Sequence, residues 1–269
     1  MGGEDFLSAV GSIANALFLI ASVYIYVALL RQINRRDRDP TDTDRGFGVA
    51  EVALAVFLIA VFAFSSLGAS SAQIVRLRTL DLILNAVVAI GMVLFVAAFL
   101  KLRRFNLSEL TGLARLSFTR AFLTGLVLLI FAYPLIIFAE WLTARFLGSG
   151  SSRQGIIELF SGSQSMEQRV IIILLATAIA PVAEEFIFRF FLYGVLRRYL
   201  GRSIGLIVSA LLFAAVHVHL PSFAPLFALG ICFALAYEWS GSLLVSMTMH
   251  AIFNAITLLA LAFPETLQP

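Results

Sequence analysis

Three short patterns in the last hundred residues place acids, bases and an amide inside hydrophobic sequence. Glu184 and Glu185 are followed by Arg189; Phe213 is followed four residues on by His217; His250 is followed four residues on by Asn254. A buried carboxylate beside a histidine can hold a water and take its proton. An arginine and a second carboxylate would balance the local charge and orient the first. A second imidazole with an amide donor, His250 with Asn254, could stabilise the oxyanion of a tetrahedral intermediate. These are the parts of a peptide hydrolase that has no serine or cysteine nucleophile. Glu184, His217 and His250 would equally suit a zinc ion and its bound water, and the residue types alone do not separate the two mechanisms.

The elements that must position these groups are membrane helices. Of 269 residues, 61% are apolar and 13% charged, far from the near-half apolar and quarter charged make-up of soluble domains. Runs long enough for a bilayer core of about 30 Å fall near 7–30, 48–67, 82–100, 121–144, 169–198, 203–219, 223–239 and 242–263. The expected fold is therefore all-α, a polytopic transmembrane bundle of about eight spans. Pro221 and Pro225 place the turn between the sixth and seventh runs, since proline breaks a helix interior.

Each charge at bilayer depth costs at least about 2.5–3.5 kcal/mol on insertion scales, so such residues need partners or a cavity. Glu185 and Arg189 share a helix face and can pair. Glu184 is turned about 100° from that face and needs a partner on another helix. Counting from the turn at Gly201, Glu184 lies seventeen residues back and His217 sixteen forward. At 1.5 Å per residue both lie about 25 Å from the turn, level across an antiparallel pair. Phe213 shares a face with His217 and can cover it. Single polar residues in membrane helices often serve only as interhelical glue, at about 0.6 kcal/mol each, but six of them in three spans call for a common pocket.

The remaining signals bound the reading. Residues 1–167 form an N-terminal region of about four spans, ending in a Ser- and Gly-rich connection over 148–167, and 168–263 form the helical region that carries the motifs. Thirteen Lys and Arg fall in the first, third and fifth loops, against five in the others. Basic residues accumulate in cytoplasmic loops, so both termini and 148–167 are expected outside, in a plasma membrane. The acidic start and long first apolar run do not read as a secretory signal, and Met1-Gly2 lacks the downstream Ser or Thr of a myristoylation site. The formal charge of +3 is distributed as in membrane proteins and does not suggest nucleic acid. Cys232 is read as a buried small hydrophobe, and His219, beside Pro221, as a loop histidine. Asn85 and Glu140 lie near span ends, and Tyr237-Glu238-Trp239 reads as an interfacial anchor. Ser209, Ser242 and Ser246 are the nearest serines for a dyad, no His-Glu-x-x-His is present, and paired membrane aspartates are missing.

Taken in order, Glu184-Glu185-x-x-x-Arg189, Phe213-x-x-x-His217 and His250-x-x-x-Asn254 resemble the signature of the CPBP family of intramembrane proteases. That family includes the type II CAAX prenyl endopeptidases and the Abi or bacteriocin-immunity proteins. The resemblance covers about 168–260 and implies an endopeptidase that cleaves near the membrane face. Glu184 would be the general base on a water also held by His217, with Glu185 and Arg189 completing the charged cluster. His250 and Asn254 would serve the oxyanion, with or without Zn2+. The implied substrate is a peptide or protein, lipidated or membrane-anchored. The alternatives are a non-catalytic membrane scaffold or self-immunity protein that binds through the same pocket, and a proton-coupled transporter. The transporter lacks support from any internal repeat.

Overall fold

The computed structural model describes residues 3–36, 46–69, 78–147, 163 and 165–262. Among these, every regular element is a helix, as a backbone immersed in lipid requires, because each N–H and C=O must be satisfied within its own segment. In chain order they are α1 (Gly3–Arg36), α2 (Val49–Ala69), α3 (Thr79–Leu102), the short α4 (Leu107–Thr111), α5 (Phe118–Leu147), α6 (Met166–Leu200), α7 (Arg202–Ala215), α8 (Phe223–Ser240) and α9 (Leu243–Ala262). Most of the 148–167 connection, with Arg38, Arg45, Arg76 and Arg153 of the charge count, lies outside the described residues.

All eight expected apolar rods are present, and seven are long and apolar enough to cross a membrane: α1, α2, α3, α5, α6, α8 and α9. The protein is an integral membrane protein. The sixth rod, α7, has only 14 residues, about 21 Å of helix against a core of about 30 Å. It stops short because the chain leaves the helix at 216–219 and makes a 3-10 turn over Leu220–Ser222 before α8. Pro225 stands in the first turn of α8, where a missing N–H costs little.

The centre of the bundle is α8, of whose span 56% is buried, against 11% for α3. One contiguous core runs from Tyr26 in α1 through Leu128 and Leu129 in α5 to Phe233 in α8 and Met249 in α9. The tight α6–α7 hairpin turns at Gly201 (φ 79°), a conformation open mainly to glycine. Gly205 follows, where a Cβ would stand 2.9 Å from the Arg197 backbone nitrogen.

One end of the bundle is stitched by polar contacts between helix ends. Arg36 Nη1 donates to the Trp239 carbonyl (2.7 Å), Tyr199 donates to the Phe47 carbonyl (3.3 Å), and Arg103 pairs with the buried Glu51 (3.1 Å). Here Tyr237-Glu238-Trp239 departs from the anchor reading. Tyr237 is buried and donates to the Leu110 carbonyl (3.3 Å), and Trp239 Nε1 donates to Gln32 (2.8 Å). Glu238 is enclosed by Arg197 (2.7 Å), Arg202 (3.0 Å) and the Tyr193 hydroxyl (2.9 Å). The stretch faces inward because α8 is surrounded, so its polar groups find protein partners.

Candidate functional site

The site is built on the middle of α6. That helix is not uniform: Leu175–Ile179 and Glu185–Leu192 are π-helical, with wider turns than the α-helix around them, an irregularity common at functional positions. Glu185 and Arg189 pair at 3.1 Å with no side-chain exposure. The Arg189 guanidinium lies over the Phe213 ring, 4.0 Å from its centroid, and 5.2 Å from that of Phe233. One carboxylate and two aromatic faces thus hold a cation that water does not reach.

Two imidazoles approach this cluster from other elements. His250 of α9 directs Nδ1 at Glu185 Oε1 (3.0 Å) and stacks on Phe233 at 5.0 Å with a 29° tilt. His217, just past the end of α7, directs Nδ1 at the Phe213 carbonyl (2.7 Å), and its ring meets Phe213 edge-on at 4.9 Å. The partners fix the tautomers: a carbonyl and an ionised carboxylate accept only, so both Nδ1 atoms donate. In the neutral rings both Nε2 atoms are then lone pairs.

Those lone pairs face Glu184. Its Oε2 stands 4.0 Å from His217 Nε2 and 3.8 Å from His250 Nε2. This oxygen is buried and has no hydrogen-bond partner among the described residues, a condition that costs free energy and calls for a missing donor. Both Nε2 atoms thus approach the same oxygen, with Glu184 and His217 level across the hairpin. A water about 2.8 Å from Glu184 Oε2 and from either Nε2 would subtend an angle of about 90° between them.

As zinc ligands the same three residues are set too wide. Two ligand atoms on a tetrahedral ion with bonds of about 2.0–2.1 Å lie about 3.3–3.4 Å apart, less than the 3.8 and 4.0 Å found here. No group of three or more His, Cys, Asp or Glu side chains able to hold a metal ion occurs among the described residues, and no step below runs through a metal.

Asn254 is placed elsewhere than its spacing suggested. Its Nδ2 donates to the Ala176 carbonyl (2.7 Å), on the stretch of α6 before Glu184, and not toward Glu184 Oε2 and the two Nε2 atoms. His219 bonds the Ser222 hydroxyl (2.8 Å) within the loop. Ser209 and Ser246 each donate to a helix carbonyl, of Phe188 (2.9 Å) and Leu243 (3.1 Å), and Cys232 is buried. Sequence reasoning missed Phe233, the platform under His250, because nothing in its spacing distinguishes it from the other 24 phenylalanines.

Comparison with known proteins falls on this same region. The family described as type II CAAX prenyl endopeptidase Rce1-like matches residues 166–256. The chain is similar to the membrane-embedded CAAX protease MroQ of Staphylococcus aureus, at 31% identity over 36% of this chain and 42% of that one. It is also similar to the uncharacterized protein YpbD of Bacillus subtilis, at 38% identity over 31% of this chain and 42% of that one. The matched part spans about two fifths of each relative's length. No solved structure matches. The stretch 166–256, about a third of the chain, is similar to the type II CAAX prenyl endopeptidase family and holds Glu184, Glu185, Arg189, His217, His250 and Asn254.

Proposed function

We propose that this chain is an intramembrane endopeptidase that hydrolyses a peptide bond with a water activated by Glu184 and held by His217 and His250. The observation that carries the reading is the buried Glu184 Oε2, without a hydrogen-bond partner among the described residues and flanked at 3.8 and 4.0 Å by two imidazole Nε2 atoms. Three acceptors around a water with two protons leave room for one added proton. That proton is placed on His250 Nε2, with Glu185 Oε1 3.0 Å from Nδ1 on the far side of the ring. Glu184 takes a proton from the water as its oxygen bonds to the substrate carbonyl carbon. The protonated His250 Nε2 then donates to the oxyanion. Glu184 returns its proton to the amide nitrogen as the C–N bond breaks, giving acid and amine. Arg189 holds Glu185 in place throughout, paired at 3.1 Å.

The substrate class that fits is a membrane-anchored or lipidated polypeptide, since the site lies in the middle of a helix long enough to cross the bilayer. The family match to an endopeptidase supports the same reading. The basic helix ends gathered around Glu238 favour a plasma-membrane orientation with that end in the cytoplasm and both termini outside.

The test uses wild type, Glu184→Ala, His217→Ala and His250→Ala in lipid nanodiscs. Cleavage of membrane-anchored peptides is followed by mass spectrometry, with and without a chelator. Each substitution should abolish cleavage while thermal unfolding remains cooperative, and the chelator should change nothing. Unchanged cleavage by Glu184→Ala overturns the mechanism. Loss with chelator and recovery with zinc overturns the metal-free version. A wild type that cleaves nothing favours a scaffold or immunity protein that binds through this pocket.

A further inference from the structure

The wide turn at Leu175–Ile179 has an identifiable cause and an identifiable support. In this π-helical stretch the Ala180 N–H donates five residues back, to the Leu175 carbonyl. The next donor in that series would serve the Ala176 carbonyl, and it would come from residue 181, which is proline and has no N–H. Ala176 is buried, so its carbonyl has no water to turn to, and an unpaired buried carbonyl is costly. The Asn254 amide fills the vacancy at 2.7 Å from another helix. One turn earlier, the Thr177 hydroxyl takes the Ile173 carbonyl (2.7 Å), a local competition that loosens regular α-helix.

The phase of α6 depends on this turn. A turn of i→i+5 type carries one more residue than an α-turn, and each residue advances the side chains by about 100°. Without the extra residue, everything after Pro181 would rotate by about that angle, and Glu184 and Glu185 would leave the face that meets His250. Asn254 and His250 are one turn apart on α9, so a single helix both fixes the phase of α6 and uses the result.

We infer that Asn254 is a positioning residue: its side-chain amide replaces the backbone donor that Pro181 lacks, and so holds the wide turn that aims Glu184 and Glu185 at His250. This differs from the oxyanion role that the family resemblance implied for it.

The first test needs no cleavage. In protein carrying 15N-histidine in nanodiscs, Asn254→Ala should shift the His250 Nδ1 resonance as Glu185→Gln does, and leave His219 unmoved. An unchanged His250 resonance overturns the inference. The second test rests on the endopeptidase reading and is a double-mutant cycle on kcat. Asn254→Ala should lower kcat by about tenfold or more with KM little changed. In a Pro181→Ala background, where a backbone N–H is restored to the Ala176 carbonyl, the further loss should fall below about threefold. An equal loss in both backgrounds returns Asn254 to the oxyanion. Should Pro181→Ala fail to insert, Asn254→Asp decides, since it sets an acceptor against the carbonyl. It should be at least as damaging as alanine, and an Asp variant as active as wild type overturns the inference. A wild type without activity removes the endopeptidase reading alone, and the resonance experiment still decides this one.

Discussion

Glu238 and Glu184 both lie near arginines, and they differ in exposure, 5% against 29% of the side chain, and in how their oxygens are partnered. Glu238 has Arg197 and Arg202 on Oε1 at 2.7 and 3.0 Å and the Tyr193 hydroxyl on Oε2 at 2.9 Å. Glu184 has a buried Oε2 with no hydrogen-bond partner among the described residues, and the nearest nitrogens, Nε2 of His250 and His217, stand 3.8 and 4.0 Å away. A carboxylate whose acceptors are saturated is a fastener between helix ends, because moving it breaks several bonds at once. One with a buried oxygen that lacks a donor has room for a bound water. The cost of leaving it so is what a structural role would not explain.

The comparison breaks most visibly if glutamine replaces each in turn. Glu184→Gln should cut turnover by roughly 10²–10⁴-fold and leave the melting temperature equal or higher, because an amide in place of the donor-less Oε2 can donate to a histidine Nε2. Glu238→Gln should do the reverse. It should cost about 1–3 kcal/mol of stability, since three contacts weaken, with turnover per folded molecule unchanged. Paired thermal melts and turnover numbers decide this. If Glu184→Gln is the less stable of the two, the contrast between a saturated and an empty carboxylate does not hold.

A third variant probes the boundary between the two kinds of cluster. Arg189 belongs to the site, yet it is as enclosed as any fastener, paired to Glu185 and covered by Phe213. Arg189→Met leaves Glu185 buried and uncompensated and should cost about 3–5 kcal/mol of stability. Adding Glu185→Leu should return most of that stability, since an apolar pair removes the stranded charge. Cleavage should not return, because His250 then lacks the carboxylate behind its Nδ1. Restored stability together with restored cleavage would confine the pair to folding.

These outcomes bear on what the amino-acid sequence made legible. The level placement of Glu184 and His217 followed from residue counts on either side of Gly201, because helical rise converts sequence distance into depth. The Glu185–Arg189 pair followed from their spacing, although the stretch that carries them is π-helical. The wide turn before Pro181 was not legible, because the proline announces a missing donor and not where the orphaned carbonyl finds another. Asn254 was accordingly assigned to the reaction centre from its spacing to His250, while its amide is bonded to Ala176. Glu238 was misread for a related reason: a Tyr-Glu-Trp run at a helix end looks like an anchor unless the helix is known to be central. The shortness of α7 was hidden because an apolar run continues to Val218 after the helix has ended.

The smallest expected effect makes the sharpest use of two neighbouring histidines. His217 and His219 are two residues apart, and sequence arguments separate them only by the proline next to His219. His217 has Nε2 aimed at Glu184 and its other nitrogen anchored on the Phe213 carbonyl. His219 has an extended backbone (φ −130°) at the entrance to the Leu220–Ser222 turn, and its Nδ1 bonds Ser222 Oγ. His219→Ala should therefore lose about one ordinary hydrogen bond, about 0.5–1.5 kcal/mol, visible as a small drop in melting temperature. Turnover should stay within about threefold of wild type, against the complete loss expected for His217→Ala. A turnover loss for His219→Ala as deep as that for His217→Ala would place the loop itself in the reaction. The reactive centre would then extend past Glu184 Oε2 and the two Nε2 atoms that approach it.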